Sequence, residues 1–243
     1  MRPLGLIGGS GLRRKGFLGP GKEVDVKTPH GPPSGPLWIG QVGRTAVAFL
    51  PRHGAGRPIP PHRINHRANL WALHSAGARS VFSTASVGSL KREIRPGTLV
   101  VPDDYFAPWQ LVTFHDVEAK HVTPRLDPAL RERLLDAARR ARVKALDGGT
   151  YVQTVGPRLE TRAEIRMFRN FGDIVGMTMA PEATLAAELG LRYAALCSVD
   201  NYAHGVTAVP TTFAGIRQEQ RRNEERVRAV LLEAFAGRAP KKP

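Results

Sequence analysis

Of the 243 residues only one, Cys197, is a cysteine, which excludes an internal disulfide and any metal centre built on paired thiolates. Cys197 stands among apolar neighbours, as a buried structural thiol does, whereas a nucleophilic thiolate needs an electropositive, accessible setting. Long apolar runs are missing too. The opening Met1-Arg2-Pro3-Leu4-Gly5-Leu6-Ile7 is too short for a signal peptide, and nothing later approaches the roughly 20 apolar residues of a membrane span. The expectation is a cytoplasmic protein without a membrane partner. The eight histidines show neither His-Glu-x-x-His nor Cys-His spacing, so neither a metal nor an organic cofactor is expected. Acidic residues are also in short supply, 21 against 36 Lys and Arg, for a net charge of +15.

Such a balance raises the alternative of a nucleic-acid binder, because a cationic field attracts phosphates. The distribution argues against it. Arginines are scattered, and the densest cluster, 217–228, is interleaved with Glu219, Glu224 and Glu225 as on a solvated helix face. No helix-turn-helix pattern, zinc spacing or interleaved aromatics accompany it.

With 42% hydrophobic residues the chain can bury a full core, and its length suits one α/β domain. Short apolar runs at 4–7, 37–42, 45–50, 80–83, 98–101, 151–155, 173–177 and 193–198 read as strands. Amphipathic stretches at 61–76, 128–143, 161–170, 181–190 and 211–236 read as helices, several with proline near the first turn. Strands alternating with helices imply a central sheet flanked by helices. No repeat or long linker divides residues 1–236, the Gly19-Pro20-Gly21 stretch marks only a turn, and the basic 237–243 tail is expected to fray.

Four segments carry groups suited to an anion. Gly8-Gly9-Ser10-Gly11 follows the first strand, so backbone N–H groups and the Ser10 hydroxyl can face a phosphate from a tight turn. It is neither a Walker loop nor a dinucleotide fingerprint. Arg52 and His53 end a strand in Leu50-Pro51-Arg52-His53-Gly54; Arg can hold two phosphate oxygens with its planar fork, and His can donate a further bond. Ser83-Thr84-Ala85-Ser86-Val87-Gly88-Ser89-Leu90 places small hydroxyls and a glycine after an apolar strand. Gly176-Met177-Thr178-Met179-Ala180-Pro181-Glu182 lies at another strand end, with Thr178 able to bond phosphate and Met177 able to lie against a sugar. Each segment alone fits ordinary turn or cap chemistry. Together they fit the crevice at strand ends where open α/β sheets bind ligands.

In this order, with Asn65 to Asn69 in Ile64-Asn65-His66-Arg67-Ala68-Asn69, Gly88-Ser89-Leu90, Gly156-Pro157-Arg158, Arg162-Ala163-Glu164 and Pro181-Glu182, the segments resemble the trimeric purine nucleoside phosphorylases. The likeness runs from residue 4 to about 232 and is strongest to the branch containing methylthioadenosine phosphorylase. It implies the nucleoside phosphorylase fold, one α/β domain with a central mixed β-sheet flanked by helices. It also implies a phosphate site of Ser10, Arg52, His53, Ser86 and Thr178, with Met177 beside the ribose. A homotrimer or dimer of trimers follows from the same likeness, with His121 of a neighbouring subunit closing the 5′ side. Inorganic phosphate is then a co-substrate, and no cofactor is implied.

Two departures from the methylthioadenosine branch move together. That branch reads adenine with an Asp-Tyr-Asp run where this chain has Asn201-Tyr202-Ala203, and carries serine where this chain has Glu160. The 6-oxopurine phosphorylases resemble this chain at both places. A Glu160 carboxylate can accept the N1 proton of hypoxanthine or guanine, whereas N1 of adenine would face it lone pair against lone pair. Asn201 can donate to O6 and accept from a protonated N7, stabilising the departing base. The bland alternative makes Glu160 a dipole partner for the helix at Thr161 and Asn201 a turn residue.

The reaction expected is phosphorolysis, catalysed by Asn201 at the base and by Arg52 and His53 at the phosphate. For the 5′ side, the largely apolar segment 206–214, with Val206 and Val209, carries no histidine where enzymes for 5′-hydroxyl nucleosides have one. That favours S-methyl-5′-thioinosine over inosine and guanosine. A methylthioadenosine phosphorylase and a nucleosidase of related fold are the other readings.

Overall fold

The fold was taken from a computed structural model, which describes residues 2–9, 12, 17–109 and 112–236. Its strands are β1 Leu4–Gly8, β2 Gly21–Val24, β3 Leu37–Val42, β4 Thr45–Pro51, β5 Ser80–Ser89, β6 Leu99–Val101, β7 Asp104–Phe106, β8 Ala145–Asp147, β9 Thr150–Gln153, β10 Ile174–Gly176 and β11 Arg192–Tyr202. Five α-helices join them: α1 His66–Ser75, α2 Pro128–Ala141, α3 Arg162–Phe168, α4 Met179–Glu188 and α5 Phe213–Phe235.

All strands belong to one mixed sheet, ordered β2-β3-β4-β1-β5-β10-β9-β7, with β11 on the other edge of β5 and β6 and β8 beyond it. The long β5 is the pivot. Its first half pairs in parallel with β1, its end pairs antiparallel with β10, and β11 runs parallel along its whole length. That branching splays the sheet at residues 84–89, just where the hydroxyl-bearing segment lies.

Helices cover both faces, as a sheet of near-continuous apolar strands requires. One core joins the sheet to α1 and α4 through Leu70, Leu73, Met179, Ala183 and Leu185; the opposite one joins it to α2 and α5 through Leu130, Leu134, Val230, Leu231 and Phe235. Cys197 is wholly buried in the first, and burial pushes its thiol upward, in keeping with a structural role.

Some element boundaries depart from the sequence reading. The segment 83–90 is expected as a loop but continues β5 to Ser89, because Thr84 to Ser89 still pair with Leu196 to Tyr202. The helix expected from Pro61 begins at His66. Residues 61–63 form a single 3-10 turn, Ile64 is extended, and Asn65 caps the helix by accepting from the Ala68 N–H. Gly21 opens β2 rather than closing a turn, since it pairs with Gly40 of β3, and the Trp38 indole lies where a β-carbon at Gly21 would stand. The short strands β7 and β8 carry too few residues for a period to show.

Candidate active site

A cavity of about 760 Å³ opens where β1, β4, β5, β10 and β11 end, a size suited to a small organic ligand. Its anion-facing end is lined by Gly9, Arg52, His53, Thr84, Ser86 and Thr178, and its other end by Glu160, Met177 and Asn201. The structure thus gathers residues from six separated segments into one space. Ser10 lies outside the described residues.

Arg52 emerges from β4 and is almost fully buried. Its Nε lies 2.5 Å from Glu182 Oε1 and its Nη2 lies 3.0 Å from Glu182 Oε2, while Nη1 donates to the Thr84 carbonyl at 2.6 Å and Nη2 reaches Ser83 Oγ at 3.2 Å. This corrects the expected phosphate fork. The fork grips Glu182, and counting donors leaves one Nη1 hydrogen for a ligand. Burial alone would raise the Glu182 carboxyl, but the charge and hydrogen bonds of Arg52 override it and hold the group below its ordinary value. Tyr193 completes this layer, its hydroxyl 2.7 Å from Ser83 Oγ and 2.8 Å from Glu182 Oε2. Because Arg52 and Glu182 neutralise each other, the pair fixes geometry more than it supplies net positive charge.

His53 Nδ1 lies 2.8 Å from the Ile59 carbonyl, which can only accept, so Nδ1 carries the proton. Burial and then the neighbouring Arg52 lower its pKa and favour the neutral ring. Neutral His53 therefore presents Nε2 as an acceptor, not as the donor expected from sequence. In that form Nε2 can accept a hydrogen bond from a protonated ligand oxygen and can donate one only after the ring is protonated.

Thr178 caps α4 by position, yet its side chain makes no capping hydrogen bond, so the hydroxyl remains for a ligand beside a helix N-terminus. The orphan N–H groups there are met otherwise. The Thr178 N–H donates to the Tyr151 hydroxyl at 3.1 Å, and the Ala180 N–H to Gln153 Oε1 at 3.0 Å. Met177 stands over Gly156, whose positive φ of 70° and lack of a side chain are both needed, since a β-carbon would come within 2.6 Å of the Met177 sulfur.

Glu160 faces the same cavity and accepts from Thr154 Oγ1 at 2.6 Å. The helix after it is capped by other groups: Thr161 accepts from the Glu164 N–H, and Glu164 returns the bond to the Thr161 N–H. Glu160 is thereby left out of the cap. Asn201 donates through Nδ2 to the Tyr202 carbonyl at 2.8 Å, and Gly88 leaves room for its amide, since a β-carbon there would stand 3.2 Å from Asn201 Nδ2.

The 5′-side residues are the weakest part of the sequence reading. Val206 is 0% exposed and packs into a core with Leu90, Val152, Phe168 and Val175, while Val209 is 76% exposed; neither lines the cavity. The chain turns at 204–209, so successive apolar residues there serve different surroundings. From this part of the chain the cavity is lined instead by α5, through Phe213, Ile216, Gln220, Glu224 and Val227 at a spacing of three or four residues, which was the available signal, with Arg217 and Arg221 beside them. Gln220 Nε2 donates to Ser86 Oγ at 2.9 Å. His204, just before the segment 206–214, also lines the cavity. His121 is exposed and away from the lining within the chain.

A crevice at the strand ends of a mixed sheet, carrying basic and hydroxyl groups together with a carboxylate and an amide, suits a nucleoside and an anion, and comparison with known proteins identifies the class. The profile of the Phosphorylase superfamily matches residues 3–236, and the chain belongs to that family. It is 40% identical over 232 residues, 95% of each chain, to a probable 6-oxopurine nucleoside phosphorylase of Archaeoglobus fulgidus. It is 39% identical over 247 residues to an S-methyl-5′-thioadenosine phosphorylase of Saccharolobus solfataricus, covering 99% of this chain and 91% of that one. The solved methylthioadenosine phosphorylase of Schistosoma mansoni with adenine superposes with a TM-score of 0.89 at 31% identity, over 97% of this chain and 91% of the other. Within the superfamily this chain is a purine nucleoside phosphorylase, an enzyme that cleaves the N-glycosidic bond with phosphate.

Proposed function

We propose that the substrate is a 6-oxopurine nucleoside and that the preferred one is S-methyl-5′-thioinosine, converted with phosphate to hypoxanthine and 5-methylthioribose 1-phosphate. The observation that carries this reading is that Glu160 and Asn201, separate in sequence, line one cavity together with the anion-facing residues. A phosphate oxygen bonds to C1′ as the C1′–N9 bond breaks, and the bonding electrons pass to the base. Asn201 stabilises them at O6 and N7, and Glu160 holds the N1 hydrogen. Thr178, Ser86 and the last Arg52 hydrogen position the phosphate, so the catalysis consists of placement and electrostatic stabilisation at both ends of the bond.

On the 5′ side Phe213, Ile216 and Val227 offer apolar surface to a methylthio group. A second reading, phosphorolysis of inosine and guanosine, is favoured by Gln220 and His204, which bring polar groups to the same cavity. The proposal includes a homotrimer, with His121 of a neighbouring subunit at the 5′ side.

The deciding experiment measures base release from methylthioinosine, inosine, guanosine and methylthioadenosine, each with and without phosphate. Phosphate-dependent release, fastest from methylthioinosine, supports the proposal. Release without phosphate, or a preference for methylthioadenosine, overturns it.

A further inference from the structure

A buried carboxyl group beside Asn201 has no part in the scheme above. β11 carries an irregularity against β5: Val199 pairs with Val87 and Asn201 with Gly88, leaving Asp200 as the extra residue. Bulges re-aim side chains, and here two consecutive ones, Asp200 and Asn201, both reach the cavity. We propose that Asp200 is a positioning residue for the anion-facing loop, setting through Ser86 how tightly inorganic phosphate is held. This rests on the phosphorolytic reading of the site.

Asp200 is 2% exposed, and the groups that hydrogen-bond it are neutral. Asn223 Nδ2 donates to Oδ1 at 2.8 Å, Ser198 Oγ donates to Oδ2 at 3.2 Å, and the Ser86 hydroxyl bonds the same carboxyl group. Ser86 has one hydrogen and already accepts from Gln220. While Asp200 is ionised that hydrogen points to the carboxylate, so Ser86 turns only a lone pair toward a phosphate oxygen. With a proton on Asp200, the carboxyl can donate to Ser86 and the serine hydrogen turns to the phosphate.

The surroundings favour this exchange. Burial pushes the Asp200 pKa up to about 6, against the lowering effect of Ser86, Asn223 and Ser198, and Glu219 on α5 adds to the rise. Arg226, also on α5, is engaged with the Gly97 carbonyl and Asn223 Oδ1. Cys197 on β11 is a buried neutral thiol, and 84–88 of β5 and Leu99–Val101 of β6 carry no charged residue. An arriving phosphate dianion raises the carboxyl group further, so phosphate binding draws in a proton.

The test is calorimetric binding of inorganic phosphate at pH 5.5 and pH 8 to the wild type, Asp200→Asn, Ser86→Ala and the double variant. The ratio of variant to wild type at one pH cancels the titration of phosphate itself. Asp200→Asn should bind phosphate ~3- to 10-fold more tightly than wild type at pH 8 and within about twofold at pH 5.5, with the nucleoside KM moved less than about twofold. In the Ser86→Ala background the Asp200→Asn effect should shrink to within about twofold. Should Asp200→Asn not fold, the gain of wild type between pH 8 and pH 5.5 should still exceed that of Ser86→Ala by about threefold. A pH-independent ratio, an equal change in nucleoside KM, or undiminished effect without Ser86 overturns the inference. Base release from wild type that needs no phosphate would instead sink the phosphorolytic reading.

Discussion

Arg52 shows how one side chain ties stability to chemistry. Replacing it by alanine removes a donor from the anion-facing end and strands the fully buried Glu182 carboxylate, a loss of roughly 3 to 5 kcal/mol for a broken buried pair. Arg52→Ala should therefore lose both activity and thermal stability. Adding Glu182→Gln should recover part of the stability, read by thermal unfolding, without recovering the phosphate KM. Full activity in either variant would remove Arg52 from the phosphate site. The purine-facing pair makes a second prediction at the same scale. Asn201→Asp offers O6 no hydrogen and adds a charge beside Glu160, so 6-oxopurine turnover should fall; adding Glu160→Ser should raise the 6-amino to 6-oxo ratio further. Each step corresponds to roughly 2 to 4 kcal/mol of discrimination, measured as the ratio of kcat/KM for methylthioinosine and methylthioadenosine. An unmoved ratio would withdraw the base-reading role of both residues. That Arg52 lines the cavity was foreshadowed only by the four strand-end segments taken together, since a basic pair at the end of an apolar run is by itself ambiguous; Glu182 as its partner was not legible, because 130 residues separate them.

At the scale of elements, α5 matters most. Its Thr212 cap accepts from the Gly215 N–H, and its first three turns set Phe213, Ile216 and Gln220 against the cavity while Val230, Leu231 and Phe235 anchor its far half in the core. Removing the amide of Gln220 with Gln220→Leu should release Ser86 and replace one polar group of the cavity lining with an apolar one. The expected result is a rise of about tenfold in the kcat/KM ratio of methylthioinosine to inosine, the size of one lost polar contact. A ratio that stays constant would place the 5′ substituent elsewhere. The helix itself was legible from its 3.6-residue pattern, but which stripe faces the cavity depends on the rotation that core packing imposes. The same limit explains Val206 and Val209: turns break the period, and no local pattern tells an apolar residue facing the core from one facing a ligand.

For the whole molecule, proton linkage follows from how deeply the layer beneath the anion-facing end is buried. His66 sits 3.9 Å from Glu182, and its Nδ1 makes no hydrogen bond among the described residues. Burial first, then Arg52 and His53, lower its pKa from 6.5 to about 4 despite Glu182. The unfolded chain takes up a proton near pH 6.5 that the folded chain refuses until about pH 4. The stabilising contribution is full above the unfolded value and is lost as pH falls through that window, amounting to ~2 kcal/mol at pH 5 relative to pH 7 or above. Chemical denaturation should show the wild type losing more stability than His66→Gln between pH 7 and pH 5. Equal losses would mean that His66 titrates normally in the folded protein.

The alternation of apolar runs and amphipathic helices determined the α/β class, because burial on both faces of a sheet leaves its mark within each short segment. The side-chain types likewise raised the expectation of an anion and a 6-oxopurine, since a carboxylate and an amide differ in what they donate and accept wherever they stand. Only the tertiary structure decided which of those groups share a cavity and which are committed to one another. The Arg52 fork rests on Glu182, the His53 tautomer follows from the Ile59 carbonyl, and Asp200 enters the cavity through an irregular pairing of β11 with β5. Each depends on hydrogen bonds or strand register between segments distant in the chain or on the path of a loop, and neither composition nor periodicity encodes such a partner.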